Sequence, residues 1–252
     1  MLSTPQDLLI ASLRFYRLHF WLFVGYTTWL LVPSMALILI TQAPRNTFFF
    51  ALTITMTAVE VVLSLWISIS IMRSSVLLKN NQALDSTQLS LEAWRDVRPV
   101  LIVALLQILI IFGGMILLII PGIVFCIWFA FSQQAVVIDK KAPREALSWS
   151  RSLVQGRFWV VLLRLVYGPL LIGLGYALLL GIVLFGIGGL LGMDTATLFS
   201  DEPVVWAQIM ESIGDIFIIP LLIIYSIFLY EELKISRVEK ESPKLENEVT
   251  VA

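Results

Sequence analysis

Residues 100–138 read VLIVALLQILIIFGGMILLIIPGIVFCIWFAFSQQAVVI, and none of them is Asp, Glu, Lys, Arg or His. A helix needs about 20 apolar residues to cross the hydrocarbon core of a bilayer, so this run is long enough for two crossings. Pro121 and Gly122 stand near its middle, and this pair is typical of a turn. The run therefore predicts a tight membrane hairpin with spans at 100–120 and 122–138.

The same apolar character extends over most of the chain. Of the 252 residues, 59% are hydrophobic and 14% are charged, and the mean hydropathy is +0.92. A soluble domain carries about 25% charged residues, so a soluble fold is excluded. The net charge of −1 argues against a nucleic-acid partner, which would need a basic surface. The sequence therefore predicts an all-α, polytopic membrane protein, with four further spans at 20–40, 48–71, 158–180 and 204–230.

The Lys and Arg residues are concentrated in alternate segments of this pattern. Fifteen of the 17 lie before span one, between spans two and three, between spans four and five, or after span six. The other two are Arg45, in a loop of the opposite side, and Arg164, inside span five. Because basic residues are retained on the cytoplasmic side, both termini are predicted to be cytoplasmic. The membrane domain covers 1–233, and the charged tail at 234–252 is predicted to be disordered.

The polar segments contain a threefold repeat. Residues 4–21 begin with TPQDLL and end in HFW. They match residues 142–159, which begin with APREAL and end in RFW, at one constant offset. A weaker copy lies before span three, at 85–99. Each unit is predicted to be a cytoplasmic amphipathic helix followed by a pair of spans. The predicted units are 4–71, 85–138 and 142–230.

The copy before span five predicts an amphipathic helix at the membrane surface. On a helical projection of 144–155, Trp149 and Leu153 fall on one side, and Arg144 and Arg151 fall on the other. Such a helix is expected to lie among lipid headgroups. The alternative is that its apolar face packs against other cytoplasmic segments. The residues assigned to this interfacial helix are Arg144, Trp149, Arg151, Arg157, Phe158 and Trp159.

This stretch also resembles the signature of a bacterial family. PREALSWS at 143–150 and LVQGRFW at 153–159 are similar to a motif of the membrane domain of glycerophosphoryl diester phosphodiesterases and of the related YciC-type inner-membrane proteins. IPGI at 120–123 is similar to the hairpin between their third and fourth spans. The likeness covers most of the chain and is specific over about 118–165. The resemblance implies a six-span protein of the bacterial cytoplasmic (inner) membrane.

The phosphodiesterase activity of the fused family members is not expected here. In those members the chemistry belongs to a separate soluble barrel with paired histidines and clustered carboxylates. This chain has one histidine, His19, and no room for a barrel. Cys126 is the only cysteine, which excludes an internal disulfide and a multi-cysteine metal site. We therefore expect no enzyme activity, no catalytic residue, no cofactor and no metal.

Four polar residues of the spans are candidate functional residues. Glu60 lies in the middle of span two, where an acid marks a functional site by default, and its predicted partner is Arg164 of span five. The alternative is a structural role, as an ion pair or as a neutral carboxyl bonded to a neighbour. Glu211 and Asp215 lie on one face near the outer end of span six. They either attract cations or reflect the lack of positive charge on that side.

Two functions fit these features. The first is a non-catalytic membrane module that engages membrane lipids or a partner membrane protein, because three amphipathic helices carry Arg and most carry Trp. The second is a small transporter or permease-like protein that uses Glu60 and Arg164 along a pathway. No nucleic-acid partner is expected, and the oligomeric state is left open.

Overall fold

The computed structural model describes residues 3–44, 46–190, 192 and 204–250, with side chains through residue 238. Its regular structure over this part of the chain is helical, without a strand, so the predicted all-α class is confirmed. A short 3-10 turn, Thr28–Leu30, joins the helix Phe20–Thr27 to the helix Leu31–Thr41. The helices are α1 Pro5–Leu18, α2 Phe20–Thr27, α3 Leu31–Thr41, α4 Thr47–Lys79, α5 Ser86–Leu117, α6 Ile119–Trp128, α7 Ser132–Asp139, α8 Pro143–Val154, α9 Phe158–Leu190 and α10 Val205–Thr250.

Within the described residues, six segments are long and apolar enough to cross a membrane, as the sequence predicts. Those in α4 and α9 have 33 residues each. At 1.5 Å per residue they extend about 50 Å, beyond a hydrocarbon core of about 30 Å. The segments are Phe20–Thr41, Thr47–Lys79, Ser86–Leu117, Ile119–Asp139, Phe158–Leu190 and Val205–Val238.

The chain reverses between the third and fourth spans at Leu118, three residues before the predicted turn. Leu118 has an extended backbone, with φ −164° and ψ 145°, between α5 and α6. Pro121 lies in the first turn of α6, where a helix has no acceptor for its N–H. Gly122 packs on Met115 of α5 without space for a side chain. The hairpin is therefore confirmed, but Pro121 and Gly122 are not its turn residues: they start the returning helix and let it approach α5.

The fourth span is interrupted halfway along its length. α6 ends at Trp128, residues 129–131 form a turn, and α7 begins at Ser132. An interruption leaves backbone groups without helical partners, which is costly inside a membrane. Ser150 of α8 supplies two of these partners: its hydroxyl donates to the Trp128 carbonyl at 2.7 Å and accepts from the Phe131 amide at 3.1 Å. These two bonds fix α8 against the fourth span.

Burial is concentrated at one end of the helices, which we call the packed end; α1, α8 and the first turns of α5 lie there. The opposite end, with residues 42–44, Asn46 and the start of α10, is the open end. In α4 and in α9, whose residues the structure describes throughout, the most apolar stretch of 18 residues contains no buried residue. One core cluster therefore holds the packed end together, and it includes Leu8 of α1, Ile69 of α4, Ala93 of α5, Leu153 of α8 and Tyr230 of α10.

The last helix continues beyond the predicted start of the disordered tail. α10 extends to Thr250, whereas the sequence predicts disorder from Lys234. Lys234 forms an ion pair with Asp139 of α7, and the Arg237 guanidinium lies 4.6 Å from the centroid of the Trp149 ring. Basic residues of 234–238 therefore bind the packed end, and disorder of the charged tail stays a prediction.

Candidate functional site

Glu60 lies near the middle of α4 and is half-buried against α3. Its carboxylate Oε1 accepts a hydrogen bond from the Ser34 hydroxyl at 3.0 Å. Residues 20–44 and 47–72 contain no other Asp, Glu, Lys, Arg or His. The partner of Glu60 is therefore a neutral side chain of the neighbouring helix.

Arg164 lies near the packed end of α9, and only 5% of its surface is exposed. Its Nη1 forms an ion pair with Oε2 of Glu232 at 3.2 Å, and its Nη2 donates to the backbone carbonyl of Ser3. The other carboxylate oxygen of Glu232 accepts from the Ser3 amide. This buried pair holds the residues that precede α1 against α9 and α10.

The predicted pairing of Glu60 with Arg164 is therefore wrong. Lys79 of α4 forms an ion pair with Glu231, and Arg164 forms one with the next residue, Glu232. Lys79 and the Arg164 guanidinium therefore lie at about the same depth. Lys79 and Glu60 are 19 residues apart in α4, which is about 28 Å along the helix. Helical side chains point toward the N-terminus of their helix, so Arg164 reaches toward the packed end.

The ion pair between Lys79 and Glu231 joins α4 to α10 and serves as a reference level. Glu60 on α4, and Glu211 and Asp215 on α10, lie at similar distances along their helices from this level, so the three acids are at about the same depth. The Tyr176 hydroxyl of α9 lies 3.1 Å from Oδ1 of Asp215 and 3.2 Å from the Glu211 carbonyl oxygen. The Glu211 side chain is exposed. Asp215 faces α9 whereas Glu60 faces α3, so the structure does not join the candidate residues into one site.

α8 packs on the protein through its apolar face. This face lies against α5, α6 and α7, and Ser150 at its centre is fully buried. The protein, and not lipid, therefore covers this face. The predicted alternative, packing against other cytoplasmic segments, is met only in part, because α6 and α7 form the fourth span. The buried residues of α8 are Ala146, Leu147, Ser150, Leu153 and Val154.

Trp149 of α8 is held by a chain of hydrogen bonds. Its Nε1 donates to the Tyr230 hydroxyl at 3.1 Å, and that hydroxyl donates to the Asp139 carboxylate at 2.5 Å. The Lys141 ammonium lies 4.3 Å from the centroid of the indole ring, close enough for a cation–π contact. Trp149 therefore joins α8 to α7 and α10.

The other residues predicted for the interfacial helix have different surroundings. Nε of Arg157 donates to the Leu153 carbonyl at 3.0 Å, and burial together with neighbouring arginines lowers the pKa of Arg157. The Arg151 guanidinium lies 4.3 Å from the centroid of the Trp128 ring. Phe158 is half-buried, and Arg144 and Trp159 are exposed.

α1 carries an exposed face that the sequence analysis does not single out. Its opposite side packs on the protein, and burial there raises the pKa of Tyr16 to about 12. The exposed side borders a groove of about 450 Å³ that combines apolar side chains with two arginines. The groove is lined by Ile10, Leu13, Arg14, Arg17 and Leu18.

The first turns of α5 carry a matching face. Eighty-one residues after the α1 face, the same order of two apolar residues and two arginines returns on the exposed side of α5. This constant offset is the sequence signal that could have revealed both faces. The face consists of Leu91, Trp94, Arg95 and Arg98. The corresponding positions of α8 hold no apolar side chain: Ser148, Arg151, Ser152 and Gln155.

A charged cluster at the packed end is also absent from the sequence analysis. Asp96 of α5 accepts from Nε and Nη2 of Arg73 at 2.9 and 2.6 Å, and from the Lys140 ammonium at 2.8 Å. Arg73 also binds Glu92. The cluster ties α4, α5 and the end of α7 together. The sequence signal that could have revealed it is the presence of acids in the otherwise basic segments between the spans.

Among the described residues, no group of three or more His, Cys, Asp or Glu side chains could hold a metal ion. In comparisons with known proteins, no family model, no curated protein and no solved structure matches the chain. The resemblance at 143–159 stays a prediction.

Proposed function

We propose that the protein is a non-catalytic, multi-pass membrane module whose packed end binds the headgroups of anionic phospholipids. The observation that carries this proposal is the pair of exposed faces, at 10–17 of α1 and 91–98 of α5. Each face presents two apolar side chains and two arginines in the same order and at the same helical spacing.

The chemistry of these faces fits the headgroup layer of a membrane. Arg binds phosphate through paired hydrogen bonds, and each basic residue near an anionic leaflet contributes about 1 kcal/mol. The neighbouring apolar side chains are suited to the layer just below the headgroups. The acids closest in the sequence to Arg95 and Arg98 are Glu92 and Asp96, and both are engaged by Arg73.

The lipid-contacting role belongs in this proposal to α1 and α5, and not to α8. The apolar face of α8 is occupied by the protein, and its exposed face has no apolar residue. The transporter alternative uses Glu60 and Arg164 along one pathway. Their separate partners weaken it, as does the length of about 28 Å along α4 between Glu60 and the level of the Arg164 ion pair.

The proposal places the packed end in the cytoplasm of a bacterium. Fifteen of the 17 Lys and Arg residues lie in the segments assigned to this side, which supports the orientation through the retention of basic residues. The resemblance at 143–159 supports a bacterial inner membrane.

The proposal also includes three repeated units. Thr4, Asp85 and Ala142 are the N-caps of α1, α5 and α8. Eight residues after each N-cap stands a small, fully buried residue, which allows each helix to approach the protein closely. The three units differ in how the helix joins its span: α5 continues into the span without a break, whereas α1 and α8 end before theirs. The small residues are Ser12, Ala93 and Ser150.

Lipid retention by the purified protein tests the proposal. The test variant replaces the four arginines of the two faces by glutamine: Arg14, Arg17, Arg95 and Arg98. Native mass spectrometry counts the phosphatidylglycerol and phosphatidylcholine molecules retained in detergent. We expect the variant to lose phosphatidylglycerol selectively, by several-fold, because only the anionic headgroup requires the arginines.

The control variant replaces Arg144 and Arg151 of α8 by glutamine and is expected to retain lipid like the unchanged protein. Equal phosphatidylglycerol retention by the four-arginine variant and the unchanged protein would contradict the proposed function.

A further inference from the structure

One face of α4 carries polar side chains from the open end to the middle of the helix. Asn46, Thr53, Thr57 and Glu60 are spaced by seven, four and three residues, which places them in one narrow sector of the helix. Asn46 caps the helix, since its side chain accepts from the Phe49 amide at 2.9 Å. The line of polar groups therefore begins at the water-facing end of α4 and finishes at a carboxyl group.

A groove at the open end leads to this line. It has a volume of about 640 Å³ and lies between the last turn of α3 and the first turns of α4. Thr53, at its inner end, is seven residues from Glu60, or about 10 Å along the helix. The groove therefore ends about two helical turns from the hydrogen bond between Ser34 and Glu60. Its polar lining residues are Thr41, Asn46, Thr47 and Thr53.

Thr57 bridges the distance between the groove and Glu60. The hydroxyls of Thr53 and Thr55 donate to carbonyls one turn back in α4, each at 2.9 Å. Thr57 is exposed, and its hydroxyl forms no hydrogen bond with the residues that the structure describes. A free hydroxyl is costly in hydrocarbon unless water binds it. Thr57 therefore favours water on this face of α4.

The charges around Glu60 favour a cation. Its partner among the described residues is the Ser34 hydroxyl, and α3 carries no charged residue. α10 packs on both α3 and α4 and contributes Glu211 and Asp215 at about the same depth. Asp215 is bound by Tyr176 on the side of α9. α5, which also packs on α4, carries no charged residue over 100–117. The surroundings of Glu60 are therefore neutral or acidic, and they attract positive charge.

We infer that Glu60 is a binding site for a small monovalent cation, the proton or Na⁺, which reaches it with water from the open end between α3 and α4. The site lies about 28 Å from the packed end along α4 and shares no residue with the lipid-binding faces. Either proposal can therefore fail while the other holds.

Cysteine accessibility tests the water path. Single cysteines are introduced at Thr53, Thr57 or Val59 in a Cys126→Ala background, which removes the one native thiol. Val59 is the matched control, because it lies at a similar depth on another face of α4 and is 47% exposed. A charged, membrane-impermeant methanethiosulfonate is added at the open-end side of proteoliposomes. We expect labelling of Thr53→Cys and Thr57→Cys to be at least tenfold faster than labelling of Val59→Cys.

The cation is tested by protection of Thr57→Cys from the same reagent. If Na⁺ is the ligand, we expect labelling to slow at least twofold when Na⁺ replaces choline. If the proton is the ligand, we expect the same slowing when the pH is lowered. The Glu60→Gln variant is expected to lose this protection, and its labelling measures how far pH alone changes the reactivity of the thiol. The Asp215→Asn variant is expected to keep the protection. Labelling of Thr57→Cys no faster than that of Val59→Cys overturns the water path. Absence of protection beyond that of Glu60→Gln overturns the cation site.

Discussion

At the scale of single residues, side-chain hydroxyls hydrogen-bond to the backbone of other helices. Ser150 bonds to both ends of the interruption in the fourth span. The Thr27 hydroxyl donates to the Ile216 carbonyl at 2.8 Å, and the Tyr225 hydroxyl donates to the Arg164 carbonyl at 2.6 Å. Such bonds count for more in a membrane than in water, because no solvent can replace them. They link helices that are far apart in the sequence.

Ser150→Ala is expected to destabilise the protein by about 1–3 kcal/mol, because it leaves the Phe131 amide and the Trp128 carbonyl without their partner. Thermal unfolding in detergent measures this loss. Ser148→Ala is the matched control, since the exposed Ser148 hydroxyl bonds only within its own helix, to the Glu145 carbonyl. Equal melting temperatures for the two variants would contradict the role assigned to Ser150.

Arg164→Met is expected to cost about 3–5 kcal/mol, because it leaves the Glu232 carboxylate buried without its ion-pair partner. It also removes a bond to Ser3, so we expect faster amide hydrogen exchange in α1. Replacing both Arg164 and Glu232 by methionine is expected to recover part of the stability, because no unpaired charge stays buried. If Arg164→Met leaves both the stability and the exchange in α1 unchanged, the buried pair does not hold α1.

At the scale of elements, three amphipathic helices with similar starts have different surroundings. α8 presents its apolar side to the protein and a polar side outward. α1 and the start of α5 also bury one side, but their outer sides still carry large apolar residues next to arginines. A helical projection of 144–155 finds the apolar side of α8 correctly, yet it cannot tell whether lipid or protein covers that side. Ser150 decides the question, because its partners lie in the interrupted fourth span.

Spin labels can separate these two kinds of helix. Labels are attached to Leu13→Cys of α1 and Ser148→Cys of α8 in the Cys126→Ala protein, reconstituted with phosphatidylglycerol. We expect Leu13→Cys to collide more with oxygen, which concentrates in lipid, and Ser148→Cys to collide more with a water-soluble nickel complex. Similar accessibility at both positions would contradict the assignment of α1, and not α8, to the membrane surface.

At the scale of the whole molecule, the six spans could be predicted from composition and length alone. Residues 100–138 contain no charged residue, and an apolar run of this length is typical of membrane spans and not of soluble proteins. The contacts between spans could not be predicted in this way. The partner of Arg164 depends on the direction of its side chain, and the turn at Leu118 depends on how closely Gly122 approaches Met115. These are properties of packing, which hydropathy does not contain.

The proposed lipid binding requires the packed end of the helices to face the cytoplasm. Gln42 and Gln82 offer a matched pair, because both are exposed and they lie in loops at the open end and at the packed end. Each is replaced by cysteine in the Cys126→Ala protein, and whole cells are treated with an impermeant maleimide before and after permeabilisation. We predict that Gln42→Cys is labelled in intact cells and that Gln82→Cys is labelled only after permeabilisation. Labelling of Gln82→Cys in intact cells would contradict the cytoplasmic packed end and, with it, the binding of cytoplasmic lipid headgroups.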